Sequence, residues 1–356
     1  MPIMLVDSAA IMAHEAKVCH ESPPYEAADV GRASETITEV SYNVPVAVGE
    51  HVHVTLYNAG HIIGSASVCI ESGGKRVLFT GDLGRTPAVL VPDREVPKDI
   101  DVLVTESVYG NRVHHNQAES DDALARAVQR THAEKGVLLI PAFSLERTQI
   151  LLRTLERFMG EGKAPSVPVF MDSPLAAKVT EVYRSNPEYL RSEIKDAIKK
   201  GDDPFSFPSL RVTVNKEASE LIDKEEPPKI IIAGAGMSHG GRIRRHELLY
   251  LGNPSTTLLM VGYQVAGSLG RRLKDGQKEV EIDGKRVRVR ATVASLDGYS
   301  AHADMNDLMK FAEEVHPKQV FVVLGETEAA TFLAQRISGF LGIPVDVPRE
   351  GETYEL

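Results

Sequence analysis

Strand-like and helix-like segments alternate along most of this sequence, and that order constrains the fold more than any other feature. The apolar segment "DVLVTES" (101–107) is followed by a helical pattern over 117–135 and then by the apolar segment "GVLLIPAF" (136–143). The same order returns at 229–236, 242–252 and 256–263. Because such alternating elements pack as helices layered on a sheet, the sequence predicts an α/β protein.

The boundaries of the predicted elements follow from apolar periodicity and from turn residues. Ser144 is expected to cap a helix that begins at residue 145, and Asp283-Gly284 to form the turn of a hairpin over 279–290. Further helices are predicted at 8–18, 27–37, 175–185, 305–315 and 329–342, and further strands at 51–59, 65–71, 75–81, 167–173 and 318–326.

Composition argues against several classes of protein. No apolar run reaches the roughly 18 residues that a membrane-spanning helix needs. The two cysteines, Cys19 and Cys69, provide no disulfide framework and suggest a cytoplasmic location. The net charge of −10 argues against a general polyanion-binding surface. Basic residues cluster between Gly240 and Arg290, where they form either a phosphate-binding patch or a set of solvated charges.

Residue types that bind metals flank a predicted hairpin in "NAGHIIGSASVCIESGGKRVLFTGDLGR". His61 lies near its start and Asp82 near its end, and pairing of the two strands would bring them together. Each residue also has an ordinary interpretation, His61 as a core or capping histidine and Asp82 as a turn acid. Two ligands alone do not hold a catalytic metal.

A second glycine-rich segment, "IIIAGAGMSHGGRI", joins a strand to a helix. Glycines expose backbone N–H groups, and a helix N-terminus attracts anions. The glycine spacing does not match a dinucleotide fingerprint, and the next strand does not end in the acid that would hold a ribose. The segment therefore indicates a phosphate site of another kind.

Eight segments in a fixed order carry a family resemblance: "NAGHIIGSA", "FTGDLGR", "TESVYGNRVH", "IPAFSLERTQILL", "GAGMSHGGRI", "VGYQVAGSLGRRL", "DGYSAHAD" and "VVLGE". The sequence resembles the β-CASP branch of the metallo-β-lactamase fold, whose members include ribonuclease J and the nuclease of the cleavage and polyadenylation machinery. The resemblance implies an αββα sandwich with an inserted β-CASP α/β domain. The core would comprise 1–110 and 296–356, and the insert 111–295.

The resemblance also implies roles for individual residues. His61 and Asp82 match metal ligands of a two-zinc site, with Asp82 as the bridging carboxylate. Glu106 and His302 match a catalytic pair in which the acid orients the imidazole for proton transfer. Contacts to the RNA phosphate would come from Ser300, Ser238, Gly240, Gly241, Arg242 and Arg147.

The sequence departs from the family pattern in two places. The H-x-H-x-D-H signature that supplies most metal ligands in the family is absent. The core is therefore expected to lack its first part, as in a fragment or in a protein that has lost its first sheet half. The histidine of the last motif is replaced by Leu324, which cannot coordinate a metal. Zinc binding by this chain is therefore expected to be weak or absent.

These observations predict a metal-dependent RNA phosphodiester hydrolase, an endo- or 5′-exoribonuclease of RNA processing. The chain as given is expected to be inactive for lack of ligands. The alternative is a non-catalytic RNA-binding or scaffolding subunit, which Leu324 favours and an intact Glu106–His302 pair disfavours. Single-stranded RNA is the expected partner, no membrane is expected, and a homodimer is possible.

Overall fold

The computed structural model describes residues 1–355, in which helices and strands alternate as predicted. The helices are α1 (Pro2–Cys19), α2 (Ala27–Glu35), α3 (Gln117–Ala133), α4 (Arg147–Gly160), α5 (Pro174–Ser185), α6 (Ser192–Lys199), α7 (Lys216–Leu221), α8 (Ile243–Tyr250), α9 (Leu269–Lys274), α10 (Met305–Val315) and α11 (Thr327–Leu341). The strands are β1 (Val46–Gly49), β2 (Val52–Asn58), β3 (Ala66–Ser72), β4 (Lys75–Phe79), β5 (Val102–Thr105), β6 (Val137–Pro141), β7 (Val169–Asp172), β8 (Leu210–Val212), β9 (Lys229–Ala233), β10 (Thr256–Met260), β11 (Glu279–Ile282), β12 (Lys285–Arg288), β13 (Thr292–Ser295), β14 (Gln319–Val322) and β15 (Val345–Asp346).

A mixed sheet is built from the two ends of the chain, in the order β1-β2-β3-β4-β5-β14-β15. Strands β1 to β4 pair antiparallel, whereas β4, β5, β14 and β15 run parallel. One face packs on α10 and α11, where Phe311 and Leu333 join Leu78 and Leu103 in one buried cluster. The opposite face is less covered, and the Phe79 side chain there is 41% exposed.

A parallel sheet is built from the middle of the chain, in the order β13-β10-β6-β9-β7-β8. Helices α3, α4 and α5 contribute to the apolar cluster on one face, and α8 and α9 to the cluster on the other. Every residue of β6, β7, β9 and β10 is buried. Helices on both faces explain why these strands are almost continuously apolar in sequence.

The predicted hairpin at β11–β12 is confirmed, with Asp283 and Gly284 as its turn residues at φ of 50° and 74°. The predicted helix cap at Ser144 is wrong. The chain turns at Glu146 (φ 61°), so α4 begins at Arg147, and the Ser144 hydroxyl contacts that of Ser173 instead. The sequence patterns also missed short elements: β1, β8, β13, β15, α6, α7 and α9.

No helix in residues 1–355 combines the length and the apolar character that a bilayer crossing requires.

Candidate functional site

The site lies where β4, β5 and β14 end at one edge of the mixed sheet. Asp82 follows β4, Glu106 follows β5, and His61 lies in the β2–β3 connection. Backbone hydrogen bonds join these loops to the segment around His302, including a bridge between Gly84 and His302. Parallel strands present their carboxyl ends at one edge, and this is why distant segments meet there.

His61, Asp82 and His302 form a cluster in which one ligand atom from each lies within 4.8 Å of the others. The His61 Nε2 atom is 3.8 Å from an Asp82 carboxylate oxygen. The imidazole rings of His61 and His302 lie with their centroids 4.4 Å apart. The hairpin and the returning chain thus place three metal-binding groups around one point.

His61 is largely buried, and its environment favours the neutral imidazole. Burial and the neighbouring His302 lower the pKa of His61 to about 4, against the opposing effect of the Asp82 carboxylate. Its buried Nδ1 atom makes no hydrogen bond with the described residues. A neutral imidazole is the form that binds a metal.

Glu106 is fully buried beside His302. The His302 Nδ1 atom lies 3.3 Å from both carboxylate oxygens of Glu106, and the Leu83 amide donates to the same carboxylate at 2.5 Å. Burial opposes a charged His302, but the hydrogen bond and charge of Glu106 outweigh it and raise the pKa of His302 above its ordinary value. The carboxylate therefore fixes the ring and favours a proton on it.

The donor set fits one metal ion better than two. His61 and Asp82 supply an imidazole and a carboxylate, which are both ligand types of zinc, whereas a His302 ring that carries a proton does not coordinate. Leu324 occupies the edge next to Glu106, because Val322 pairs with Thr105 where β14 and β5 end. Its side chain is 60% exposed and has no donor atom, so this edge provides no ligand for a second ion.

A cleft of about 870 Å³ runs from this cluster to the parallel sheet. Its lining includes His61, Asp82 and His302 together with Arg147 and Arg242. Helix α1 also contributes to the lining, through Met4, Asp7, Ile11 and Glu15.

The glycine-rich segment predicted to bind phosphate borders this cleft at Gly240, Gly241 and Arg242. The Ser238 side chain is fully buried and donates to Glu247 at 2.5 Å, so its hydroxyl is engaged inside the protein. Arg242 donates to Asp172 at 2.6 Å and to the Thr213 carbonyl oxygen. Gly240 is half-buried. Its backbone is therefore better placed to contact a ligand than the side chains of Ser238 and Arg242, which are bonded within the protein.

Ser300 and Arg147 are both enclosed near His302. The Ser300 side chain is fully buried, and its hydroxyl accepts a hydrogen bond from the His302 amide at 3.3 Å. Arg147 is 7% exposed, and its Nε and Nη1 atoms have no hydrogen-bond partner among residues 1–355. The roles predicted for both residues stay predictions.

A buried pair that the sequence patterns missed lies behind the glycine-rich segment. His246 is fully buried, and its Nε2 atom lies 2.8 Å from Asp172. Asp172 also accepts hydrogen bonds from Thr213 and Ser219. Burial disfavours the charged carboxylate, but the hydrogen bonds from these donors outweigh it and keep the pKa of Asp172 well below its ordinary value. The available signal was Asp172 at the end of a buried strand.

Some arginines of the basic cluster noted in the sequence form ion pairs within the protein. Arg244 pairs with Asp283 at 2.7 Å, and Arg245 pairs with Asp223. Arg271 pairs with Asp275 at 2.9 Å. These three arginines therefore act within the protein, whereas Arg272 and Arg288 of the same cluster form no ion pair among residues 1–355.

Comparisons with known proteins give consistent matches. The Beta-Casp domain family matches residues 148–273, and the family described as a Zn-dependent metallo-hydrolase RNA specificity domain matches residues 286–348. An RNase J-like protein of Methanocaldococcus jannaschii is 32% identical, over 92% of this chain and 76% of that protein. A ribonuclease of Thermus thermophilus is 30% identical, over 99% of this chain and 78% of that protein. Transcription termination factor FttA of Methanosarcina mazei is 30% identical, over 100% of this chain and 57% of that protein.

Proposed function

Because the chain belongs to the β-CASP family of metallo-β-lactamase-fold ribonucleases, we propose that it hydrolyses RNA phosphodiester bonds at the cluster of His61, Asp82 and His302. Its fold is the metallo-β-lactamase fold with a β-CASP insertion, and its activity class is metal-dependent hydrolysis of RNA. The observation that carries the site assignment is the meeting of three ligand atoms within 4.8 Å next to a buried carboxylate.

Zinc is the ion we propose, held by His61 and Asp82 with the His302 imidazole beside them. When bound, such an ion supplies a hydroxide from water and polarises a phosphate oxygen. Glu106 holds the His302 ring through Nδ1, which leaves Nε2 free to face the substrate. In this proposal His302 donates a proton to the leaving ribose oxygen, and Glu106 stabilises the protonated ring.

Single-stranded RNA is the substrate form that best suits the cleft. The walls offer the amides of Gly240 and Gly241 and the guanidinium of Arg147 to phosphate groups. Ser238 and Arg242, whose side chains bond within the protein, would act by shaping the glycine-rich segment. Ser300 would hold the His302 backbone in place through the hydrogen bond that its hydroxyl accepts from the His302 amide.

The domain division we propose assigns 1–110 and 296–356 to the metallo-β-lactamase core and 111–295 to the β-CASP insert. The mixed sheet draws its strands from the two outer segments and the parallel sheet from the middle one, which supports this division. A cytoplasmic location and a homodimer are further proposals. Sedimentation of the purified chain tests the dimer.

Cleavage of a labelled single-stranded RNA in the presence of Zn²⁺ or Mn²⁺ tests the proposed function. We expect cleavage by the wild type and its loss in His302→Ala and Asp82→Asn, because these remove the proton donor and a metal ligand. The exposed histidine His132 on α3, which is not among the residues lining the cleft, provides a matched control, His132→Ala, which should retain activity. Equal activity in the wild type and His302→Ala would refute the assignment.

A non-catalytic RNA-binding or scaffolding role is the second candidate, and Leu324 is the observation that favours it. The same RNA cleavage assay also tests the expectation from the sequence that the chain is inactive. Tight RNA binding with no cleavage at saturating metal would support the scaffolding role, whereas metal-dependent cleavage abolished by His302→Ala would exclude it.

A further inference from the structure

Phe143 presents an exposed aromatic ring to the cleft. It lies two residues after the end of β6, at the carboxyl edge of the parallel sheet, and it is one of the residues that line the cleft. The residue is 39% exposed, although phenylalanine is usually buried. A single exposed apolar residue needs no explanation by itself. Phe143 carries an argument because its ring is fixed in place and lies beside groups that can hold phosphate.

Two sets of contacts hold Phe143 in position. Its carbonyl oxygen accepts hydrogen bonds from the Thr148 amide at 3.2 Å and from the Thr148 hydroxyl at 2.7 Å. One edge of the ring lies against Gly236, where an added Cβ atom would be 2.9 Å from the ring carbon Cδ2 and 3.0 Å from Cε2. A ring that is already fixed loses little conformational entropy when a ligand packs on it.

The two tyrosines that line the same cleft are less accessible than Phe143. Tyr109 is buried. Tyr263 is half-buried, and its hydroxyl donates a hydrogen bond to Glu326. The guanidinium of Arg112 lies over the Tyr263 ring, 5.5 Å from its centroid, and covers one face. Phe143 is therefore the ring of the three that is best placed to receive a planar ligand.

The glycine-rich segment joins this ring to groups that suit phosphate. Gly236, which contacts the ring, is followed in the same segment by Gly240 and Gly241, and all three line the cleft. A nucleic acid strand carries a base between successive phosphates. A phosphate at the amides of Gly240 and Gly241 would thus bring a neighbouring base beside Phe143.

We propose that Phe143 forms a nucleobase subsite, in which one base of the RNA stacks on its ring. This inference rests on the proposed function and adds a contact to a base to the phosphate contacts described there. Every base has a π-face, so the subsite accepts any of the four bases. It requires a base that is free to leave its neighbours, whereas the bases of a duplex are stacked within the helix. Phe143 therefore selects single-stranded over double-stranded RNA.

A tryptophan reporter tests the proposal without any need for catalysis. The chain contains no tryptophan, so Phe143→Trp introduces a single indole, whose emission is quenched when a base stacks on it. The ligands are hexaadenylate and a ribose-phosphate backbone of the same length without bases, both in metal-free buffer with chelator. We expect a saturable decrease in emission with hexaadenylate and none with the base-free backbone. Phe340→Trp, at an exposed position of α11 that does not line the cleft, should show no decrease with either ligand.

Calorimetric titration of three further variants measures what the ring contributes. Phe143→Ala should bind hexaadenylate at least about fivefold more weakly than the wild type, because the stacking contact is lost. Phe143→Tyr keeps a π-face and should stay within about twofold of the wild type. Phe143→Leu keeps an apolar side chain without a π-face and should resemble Phe143→Ala. The base-free backbone should bind to all four proteins with the same affinity, and circular dichroism verifies that each variant folds.

Equal affinity of the wild type and Phe143→Ala for hexaadenylate would overturn the proposal, as would equal binding of the two ligands by the wild type. Full affinity in Phe143→Leu would also overturn it, because an apolar contact would then suffice. Failure of the proposed function has a different signature. A chain that never cleaves RNA can still show quenching that depends on the bases, whereas a chain that cleaves RNA without such quenching would refute the subsite alone.

Discussion

Glu247 allows a quantitative prediction about how stability depends on pH. Its side chain is fully buried, its Oε1 atom accepts the Ser238 hydrogen bond, and its Oε2 atom has no hydrogen-bond partner in residues 1–355. Burial raises its pKa from 4.5 to about 8. The folded protein therefore holds a proton on Glu247 between these two values, whereas the unfolded chain has lost it.

The sign of the effect follows from proton linkage. Where the folded state binds more protons than the unfolded state, the free energy of unfolding decreases as pH rises. The contribution of Glu247 is fully present below about pH 4.5 and is lost by the time pH has risen through about 8. Because each unit of pKa corresponds to about 1.36 kcal/mol, the loss over the whole window is at most about 5 kcal/mol.

Glu247→Gln removes this proton and keeps an oxygen that can accept the Ser238 hydrogen bond. The measurement is urea unfolding of both proteins between pH 5 and pH 8. We expect the free energy of unfolding of the variant to rise relative to that of the wild type as pH increases. The difference between the two proteins should reach several kcal/mol and be largest at pH 8, the upper end of the measured range. Glu313→Gln, an exposed change on α10, should follow the wild type at every pH. Parallel curves for Glu247→Gln and the wild type would refute the reasoning.

Three further predictions concern the edge of the mixed sheet. A Cβ at Gly84 would lie 1.9 Å from the Gly60 carbonyl oxygen. Gly84→Ala should therefore lower the free energy of unfolding, measured in urea, by about 1–3 kcal/mol. At Gly339 on α11 an added Cβ meets open space, and a loss in Gly84→Ala no larger than that in Gly339→Ala would contradict the prediction. Glu106→Gln should lower RNA cleavage by about 10–100-fold, since the residue orients His302, and full activity would show that the ring needs no such support. Leu324→His adds an imidazole at the site edge and should tighten zinc binding at least about tenfold in equilibrium dialysis; unchanged affinity would mean that this position does not reach the ion.

The sequence determined the elements with a long, regular apolar pattern. Helix α10 coincides with its prediction at Met305–Val315, and Asp304 caps it through a hydrogen bond to Asp307. The turn at Asp283-Gly284 could also be predicted from the sequence, because both residue types tolerate a positive φ. Short elements such as β13 and α9 were missed, because a few residues contain too little periodicity to distinguish them from loops.

The residue types of the candidate site, including the leucine at 324, were also visible in the sequence, as were the expected pairs His61–Asp82 and Glu106–His302, but other contacts of the site were not. Three contacts emerged only from the tertiary structure. The His302 ring lies beside that of His61, the buried His246 contacts Asp172, and the Ser238 hydroxyl donates a hydrogen bond to Glu247. The same holds for Arg147, which is buried beside Gly262 and forms no ion pair within residues 1–355. Periodicity reports which face of an element is apolar, whereas the charge and hydrogen bonding of a buried polar group depend on which distant segments pack against it.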